Sequence, residues 1–416
     1  MPGSKIVFLC LSFSSQAFAV NLQQVFETAL EKNESIPTQE EAVVQADENV
    51  KQSWGSMIPQ ITGSTQWMWQ QQYTGPNGQL SPDWNPVTKL TASQPLFQGF
   101  RDWNGLDQAK KLRSQQRYLK DNTELTVYKS IISSYYNILY LEKDMLDLQE
   151  EIRYTKDEIK LLEYWLKIGR AQTTDVLTAQ SSLTATEVLV EQDNYQLRTM
   201  RDSFALTTGL AADTPLDDDA QNFNPKIDRI ETFMDRVQYR PDVKSNQAAV
   251  VAAEDNINVQ KANHLPSLSL TADRYFLRAG VQENVDWDAM VILSVPIFAG
   301  GVTQSKVRQA YSQDRQAELS LSLSQRTAMQ EVRQYYDSVK SDLMQLQLNQ
   351  RNVKVNEANY KEEEHYFREG LVPYLNVITA LTNYMQAKRT LDQNIFTLRG
   401  DYIHLKAATA ANKSDL

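Results

Sequence analysis

Cysteine and histidine are nearly absent from this 416-residue chain: there is one cysteine, Cys10, and three histidines, His264, His365 and His404, far apart in sequence. A soft-metal cluster or a Cys/His nucleophile therefore has almost nothing to be built from. The sequence also lacks any apolar run of the roughly 18 residues that a membrane-spanning helix needs, and mean hydropathy is −0.50. A basic surface is missing too, since 42 Lys and Arg face 52 Asp and Glu for a net charge of −10. Phosphate binding needs clustered cations, so nucleic acid is excluded as a partner. Nothing points to a cofactor or a metal, and no catalytic residue is assigned. Runs such as Asp217-Asp218-Asp219 and Glu362-Glu363-Glu364 read as solvated faces rather than as acid–base pairs.

The first nineteen residues read as an export signal. Lys5 supplies the positive region, Ile6 to Phe13 the short apolar run, and Ala17-Phe18-Ala19 the small-x-small cleavage site. Cys10 lies inside the apolar run, so the mature chain is expected to be cysteine-free.

Proline is scarce where it matters. None occurs between Pro95 and Pro215, and after Pro296 there is only Pro373. An interior proline costs a helix about 3 kcal/mol, so these intervals are where long helices are expected. Within the first, Ile138, Leu141, Met145, Leu148, Ile152, Thr155, Ile159, Leu162 and Leu166 alternate steps of three and four, the spacing of a coiled-coil seam. Charged residues flank it, among them Glu142, Lys143, Asp144, Asp147, Glu150, Glu151 and Glu158.

The chain repeats itself. Pro95-Leu96-Phe97-Gln98-Gly99 answers Pro296-Ile297-Phe298-Ala299-Gly300 at an offset of 201 positions, as Gly169 answers Gly370 and Asp175-Val176-Leu177-Thr178-Ala179 answers Asn376-Val377-Ile378-Thr379-Ala380. One offset held across such landmarks marks a tandem duplication. The expected organisation is a signal over 1–19, a first repeat over 20–210, an inter-repeat segment over 211–240 and a second repeat over 241–416. Each repeat carries a helix (35–57; 241–264), two strands, a long helix (98–167; 298–368) and a return helix (173–208; 374–410). At 1.5 Å per residue the first long helix should reach about 105 Å.

The strands are read from alternation at 61–73, 268–276 and 287–295, the last interrupted by Met290 and Ile292, with a weaker fourth at 87–96. About ten residues with one apolar face suit a membrane-spanning β-strand, although a soluble sheet with one wet face alternates in the same way. Trp67, Trp69, Tyr73, Trp84, Phe276 and Trp287 fall where an interfacial girdle belongs. Four strands cannot close a barrel and leave edges that lipid does not tolerate. Several copies must pool their strands.

Signal, duplicated helix–strand–helix plan and motifs together resemble the TolC-like outer-membrane efflux proteins. The motifs are Pro-Leu/Ile-Phe-x-Gly, Arg240-Pro241-Asp242, and Gly-x5-Asp/Asn-Val-Leu/Ile-x-Ala. The resemblance implies a mainly α fold with a membrane β-barrel. Long coiled-coil helices would form a periplasmic α-barrel, and four transmembrane strands per chain would be completed by trimerisation. It further implies an exit duct for efflux or type I secretion. The implied partners are copies of itself, a periplasmic adaptor, an inner-membrane transporter and outer-membrane lipid. A periplasmic coiled-coil adaptor or a structural envelope protein is the alternative.

Two sets of residues follow from the resemblance. Gly169, Arg170, Asp175, Val176, Leu177, Gly370, Leu371, Asn376, Val377 and Ile378 would form the periplasmic tips that dock the adaptor. Pro95, Phe97, Gly99, Pro296, Phe298 and Gly300 would form the barrel-to-helix junctions. Physically, Gly169 and Gly370 suit left-handed helix ends, and Thr173, Thr174 or Asp175 suits the start of the next helix. The family tends to carry acids after the second tip, whereas this chain has Asn376 and Thr379, which removes the basis for an acidic gate ring.

Overall fold

The computed structural model describes residues 19–74, 80–81, 83–218, 223, 225–280 and 282–410. The export signal, apart from Ala19, and the turn at Gly75 to Gly78 lie outside the described residues.

The chain opens on α1 (Leu22–Lys32) and α2 (Ser35–Gly55). Strand β1 (Gln60–Trp69), the short pair β2 (Tyr73–Thr74) and β3 (Leu80–Ser81), and β4 (Trp84–Gln98) follow. Helix α3 (Arg101–Lys167) runs out and α4 (Thr173–Thr208) returns. A short helix α5 (Ile230–Met234) and a 3-10 turn (Val237–Tyr239) lead to α6 (Pro241–Ala262), β5 (Ser267–Arg278), β6 (Trp287–Ser294), α7 (Val302–Arg368) and α8 (Tyr374–Ala407). Helices α3 and α7 are each 67 residues, about 100 Å at the helical rise.

Helix α1 is an element that hydrophobic pattern alone did not reveal. Asn21 and Gln24 form a capping box, with Gln24 N donating to Asn21 Oδ1 at 2.9 Å and Asn21 N to Gln24 Oε1 at 3.1 Å. Its buried Val25, Phe26 and Ala29 join a core with Tyr128, Ile131 and Ile138 of α3 and Phe204 of α4.

Four strands form one antiparallel sheet in the order β1-β4-β5-β6. The register separates its faces. Trp67 lies opposite Pro86, Trp69 opposite Trp84, and Ala92 opposite both Ile61 and Ala272. Leu270 lies opposite Val291 and Leu268 opposite Leu293. This face is apolar, and the exposed rings of Trp67, Trp69, Trp84, Phe276 and Trp287 gather on it at the end away from the helices. The other face is polar: Lys89 Nζ donates to Asp273 Oδ2 at 2.8 Å, Thr91 to Asp273 Oδ1, and Tyr275 to Asp288 Oδ2 at 3.0 Å. Met290 and Ile292, opposite Thr271 and Ser269, share that polar face. Strand β4, expected to be the weak one, is the longest at 15 residues. Its prolines obscured it in the sequence, yet it is held by β1 on one side and β5 on the other.

Helix α3 packs against α2 and α6 towards the sheet and against α4 and α8 towards the far end, while α7 packs against α6 and α8. The return helices are joined end to end to the short helices. Asn33 Nδ2 donates to Thr207 O at 2.7 Å, and Arg240 Nη1 donates to Ala408 O at 3.0 Å. Carbonyls at a helix end, otherwise without partners, are thereby satisfied. Arg240 is held in turn by both oxygens of Asp242 (3.0 and 2.8 Å) and by Glu331 at 2.7 Å. That accounts for the Arg-Pro-Asp motif, with Pro241 at the first helical position.

Candidate functional site

The two tips are built alike. Gly169 and Gly370 adopt φ of 77° and 79°. Arg170 N donates to Trp165 O at 2.8 Å and Gly169 N to Leu166 O at 3.1 Å; Leu371 N and Gly370 N donate to Tyr366 O and Phe367 O, each at 2.9 Å. These paired bonds are the Schellman ending of a helix, which calls for glycine at the left-handed position.

The helices that follow start differently, and this explains Asn376. In the first tip Asp175 Oδ2 accepts from Gln172 N at 2.8 Å, satisfying the donor at the helix cap. In the second tip the cap residue is Pro373, which has no N–H to satisfy. The acid loses its local task there, and an amide takes its place.

Burial divides the tip residues. Val176, Val377 and Ile378 are buried with Leu162, Tyr374 and Leu381. Leu177, Leu371 and Leu375 are exposed, as is Ile168. Arg170 lies over the Trp165 ring at 5.3 Å, and Trp165, Phe367 and Tyr374 form an aromatic run with centroid spacings of 5.2 and 5.4 Å that ties the two hairpins together. Sequence reasoning missed these rings; their only signal was their closeness to the two glycines. Between α4 and α8 a groove of about 630 Å³ opens beside the tips, lined by Leu177, Thr178, Ser181, Ser182, Ile378 and Thr379 among others. It carries no charged side chain.

The junctions differ more. Pro95 and Phe97 lie within β4, opposite Ser269 and Leu268, with an irregularity between them. Gly99 (φ 64°) and Phe100 (φ 65°) are both left-handed, so α3 begins at Arg101 rather than at 98. In the second repeat Gly300 (φ 58°) and Gly301 (φ 82°) do the same, and α7 begins at Val302 rather than at 298. Pro296 and Phe298, however, follow the end of β6 at Ser294 and pair with no strand. Phe298 is 89% exposed where Phe97 is 37%. A Cβ on Gly99 would meet Leu265 Cβ at 2.7 Å and Ala262 O at 2.8 Å, whereas one on Gly300 meets nothing within 4 Å.

The sequence profile of the family described as "Outer membrane efflux protein" matches residues 25–210 and 236–409. The chain belongs to the outer membrane efflux protein family. Membership places it in the outer membrane with its helical part in the periplasm. Outer membrane efflux protein BepC of Brucella suis biovar 1 (strain 1330) is 23% identical over 305 residues, 71% of this chain and 64% of BepC. Toluene efflux pump outer membrane protein TtgC of Pseudomonas putida is 26% identical over 299 residues, 68% of this chain and 60% of TtgC. The chain thus matches less than two thirds of the length of these relatives. Outer membrane protein TolC of Vibrio cholerae is 23% identical over 412 residues, 94% of this chain and 90% of TolC. Among solved structures, CusC superposes with a TM-score of 0.84 at 18% identity, covering 95% of this chain and 93% of that one. VceC of Vibrio cholerae gives 0.80 at 16%, covering 92% and 95%. These likenesses establish the fold: mainly helical, with barrel strands, as in the efflux channels.

Proposed function

We propose that three copies of this chain close into one tube that carries cargo from an inner-membrane transporter and its periplasmic adaptor to the outside, with no catalytic step. The observation that carries this reading is the imbalance between the repeats. The repeat at 20–210 finds neighbours in the repeat at 241–416: β4 lies against β5, α3 against α6 and α8, Gly99 against Leu265. The same surfaces of the second repeat are bare. Strand β6 has a free edge among the described residues, Phe298 is exposed, and Gly300 faces open space. By the duplication, Ile58-Pro59 corresponds to Leu265-Pro266, so the missing neighbour of the second repeat is the first repeat of another copy. Helix edges agree. Leu323, Met344, Leu348 and Val355 are exposed along α7, and Val188, Tyr195 and Leu206 along α4. Both stripes keep steps near the helical period, as a seam between copies requires.

The tips, with Arg170, Asp175, Leu371 and Asn376 at their margin, and the groove between α4 and α8 form the adaptor's docking surface in this reading. In mild detergent the extracted protein should run as a trimer that heat takes to a monomer, somewhat lighter than the 47.6 kDa full chain once the signal is removed. A monomer at working concentration overturns the shared tube. Deletion followed by drug-susceptibility and secretome profiling then identifies the cargo. Both kinds of system occur among relatives, since Proteases secretion protein PrtF of Dickeya chrysanthemi is 22% identical over 355 residues.

A further inference from the structure

Three helix seams of the wall are each crossed by two carboxyl groups close enough to act on each other. Asp144 of α3 meets Asp193 of α4, Asp147 of α3 meets Asp392 of α8, and Asp342 of α7 meets Asp401 of α8. In the helix order α4-α3-α8-α7, every seam has one such pair. Asp144 and Asp147 are 1% exposed, Asp193 8% and Asp342 7%. Oδ2 of Asp147, Asp193 and Asp342 is buried without a hydrogen-bond partner, and Oδ2 of Asp392 has Lys143 Nζ at 3.5 Å. Two ionised carboxylates are acceptors only and repel each other; they bond when one of them holds a proton.

We propose that the three pairs are shared-proton staples, so that the helical wall is tight in acid and its seams loosen as the pairs ionise.

The surroundings of each pair are consistent with one proton. Arg389 of α8 donates to both oxygens of Asp144 at 2.6 and 2.7 Å. That single cation offsets one of the two carboxylates, with Tyr140 and the Glu151–Thr186 pair (3.2 Å) beside them. Around the second pair, Lys143 and Lys388 both sit 3.0 Å from Asp147 Oδ1. Lys143 lies 3.5 Å from Asp392 and Lys388 also bonds Glu150, so the cations are shared among three acids. Tyr384 of α8 stands beside Lys388 and is acted on by Glu357 of α7 as well. Around the third pair stand Ser338, Tyr335 and, farther along α7, Glu331, with no cation among the groups that act on it. Burial, then the facing carboxyl, pushes Asp193 up to about 7, and burial and their partners push Asp392 and Asp342 up to about 6. A carboxyl raised above its unfolded value stabilises the fold least once pH exceeds the folded value. Loosening therefore builds as pH climbs above the ordinary carboxyl value of 3.8 and is complete once pH passes about 6 to about 7. The second staple holds the first hairpin to the second, so the two hairpins should part there.

The test uses the full-length assembled protein in detergent and needs no transport activity, so it stands apart from the duct reading. Infrared spectra should show the carbonyl band of protonated carboxyls at about pH 5.5 and lose it by about pH 8. Hydrogen exchange of the seam segments, corrected for intrinsic rate, should quicken by roughly tenfold over that range. In Asp193→Asn, Asp392→Asn and Asp342→Asn combined, this quickening should vanish while the seams stay protected. A missing acid-form band, which needs no variant to establish, overturns the shared protons. An unchanged pH ratio of exchange in the folded variant overturns the loosening.

Discussion

Helices α3 and α7 are copies of one another, equal in length and 201 positions apart, yet one is a core element and the other an edge. Helix α3 touches α1, α2, α4, α6 and α8 and buries residues along most of its length; α7 packs on α6 and α8 and leaves Leu319, Leu323, Met344, Leu348 and Val355 in solvent. Asp147, 1% exposed, corresponds to Leu348, 61% exposed. Polarity is thus inverted against burial at equivalent places. What a residue meets is set by its position in the ring of helices, and a single chain completes that ring around its first repeat only.

The largest effect expected is at Ile138, fully buried in the core shared by α1, α3 and α4. Ile138→Asp buries a carboxylate without a partner and should cost about 3–5 kcal/mol or more, leaving no protein in the outer membrane. Leu348→Asp should behave differently, keeping the circular dichroism of the chain while abolishing the trimer in mild detergent. Equal outcomes for the two would erase the distinction between core and edge.

His404 of α8 is gripped from both long helices. Ser133 of α3 lies 3.0 Å from its Nε2, and Tyr335 of α7 is stacked on its ring at 4.9 Å. Burial and the nearby Lys129 push its pKa down to about 4. The folded state thus holds it neutral while the unfolded chain protonates near 6.5, so stability is present above that pH and falls as pH drops towards about 4. A shift of this size corresponds to about 3 kcal/mol at most. Urea titrations of His404→Gln between those pH values should show a flatter acid loss than the parent. An identical slope removes the histidine from the account.

Next come the junction glycines. Gly99→Ala meets a left-handed backbone and the Ala262 carbonyl, and should cost about 2 kcal/mol or more in folding. Gly300→Ala meets only the backbone strain, about 1 kcal/mol, within one chain. If the neighbouring copy supplies Ile58 there, Gly300→Ala should instead weaken the trimer. Trimer yield against monomer melting separates these outcomes.

The smallest structural effect belongs to the tips. A Cβ on Gly169 or Gly370 meets nothing within 4 Å, so Gly169→Trp and Gly370→Trp should cost only about 1 kcal/mol each. The trimer should survive while export fails, because the added ring would stand on the proposed docking surface. Export that persists with normal trimer would reduce the tips to turns.

The elements legible in the sequence were those governed by local rules. Proline-free intervals and the seam from Ile138 to Leu162 set the long helices. Gly169 and Gly370 announced the turns. Helix α1 escaped because its start lies in a side-chain exchange between Asn21 and Gln24 rather than in apolar period. The charges flanking the seam were misleading. Asp144, Asp147, Glu151 and Glu158 are buried in a second stripe on α3, and the register that sets Asp193 and Asp392 against two of them arises only when three helices meet. Asp218 likewise anchors Arg399 instead of serving a free acidic face. The tip aromatics and the uncharged groove depend on the same long-range placement.

The joints between α4 and α1–α2 and between α8 and α6 have a mechanical consequence. Along the outward path each repeat is one unbroken strut of 67 residues, but the return path is spliced, held by Asn33 on Thr207 in one repeat and by Arg240 on Ala408 in the other. A wall of alternating solid and spliced staves resists stretching along its axis, because the solid members bridge every splice. Twist is another matter. A splice secured by a hydrogen bond or two offers a point of swivel that a continuous helix lacks, so whatever torsion the return path carries is concentrated at Asn33–Thr207 and Arg240–Ala408.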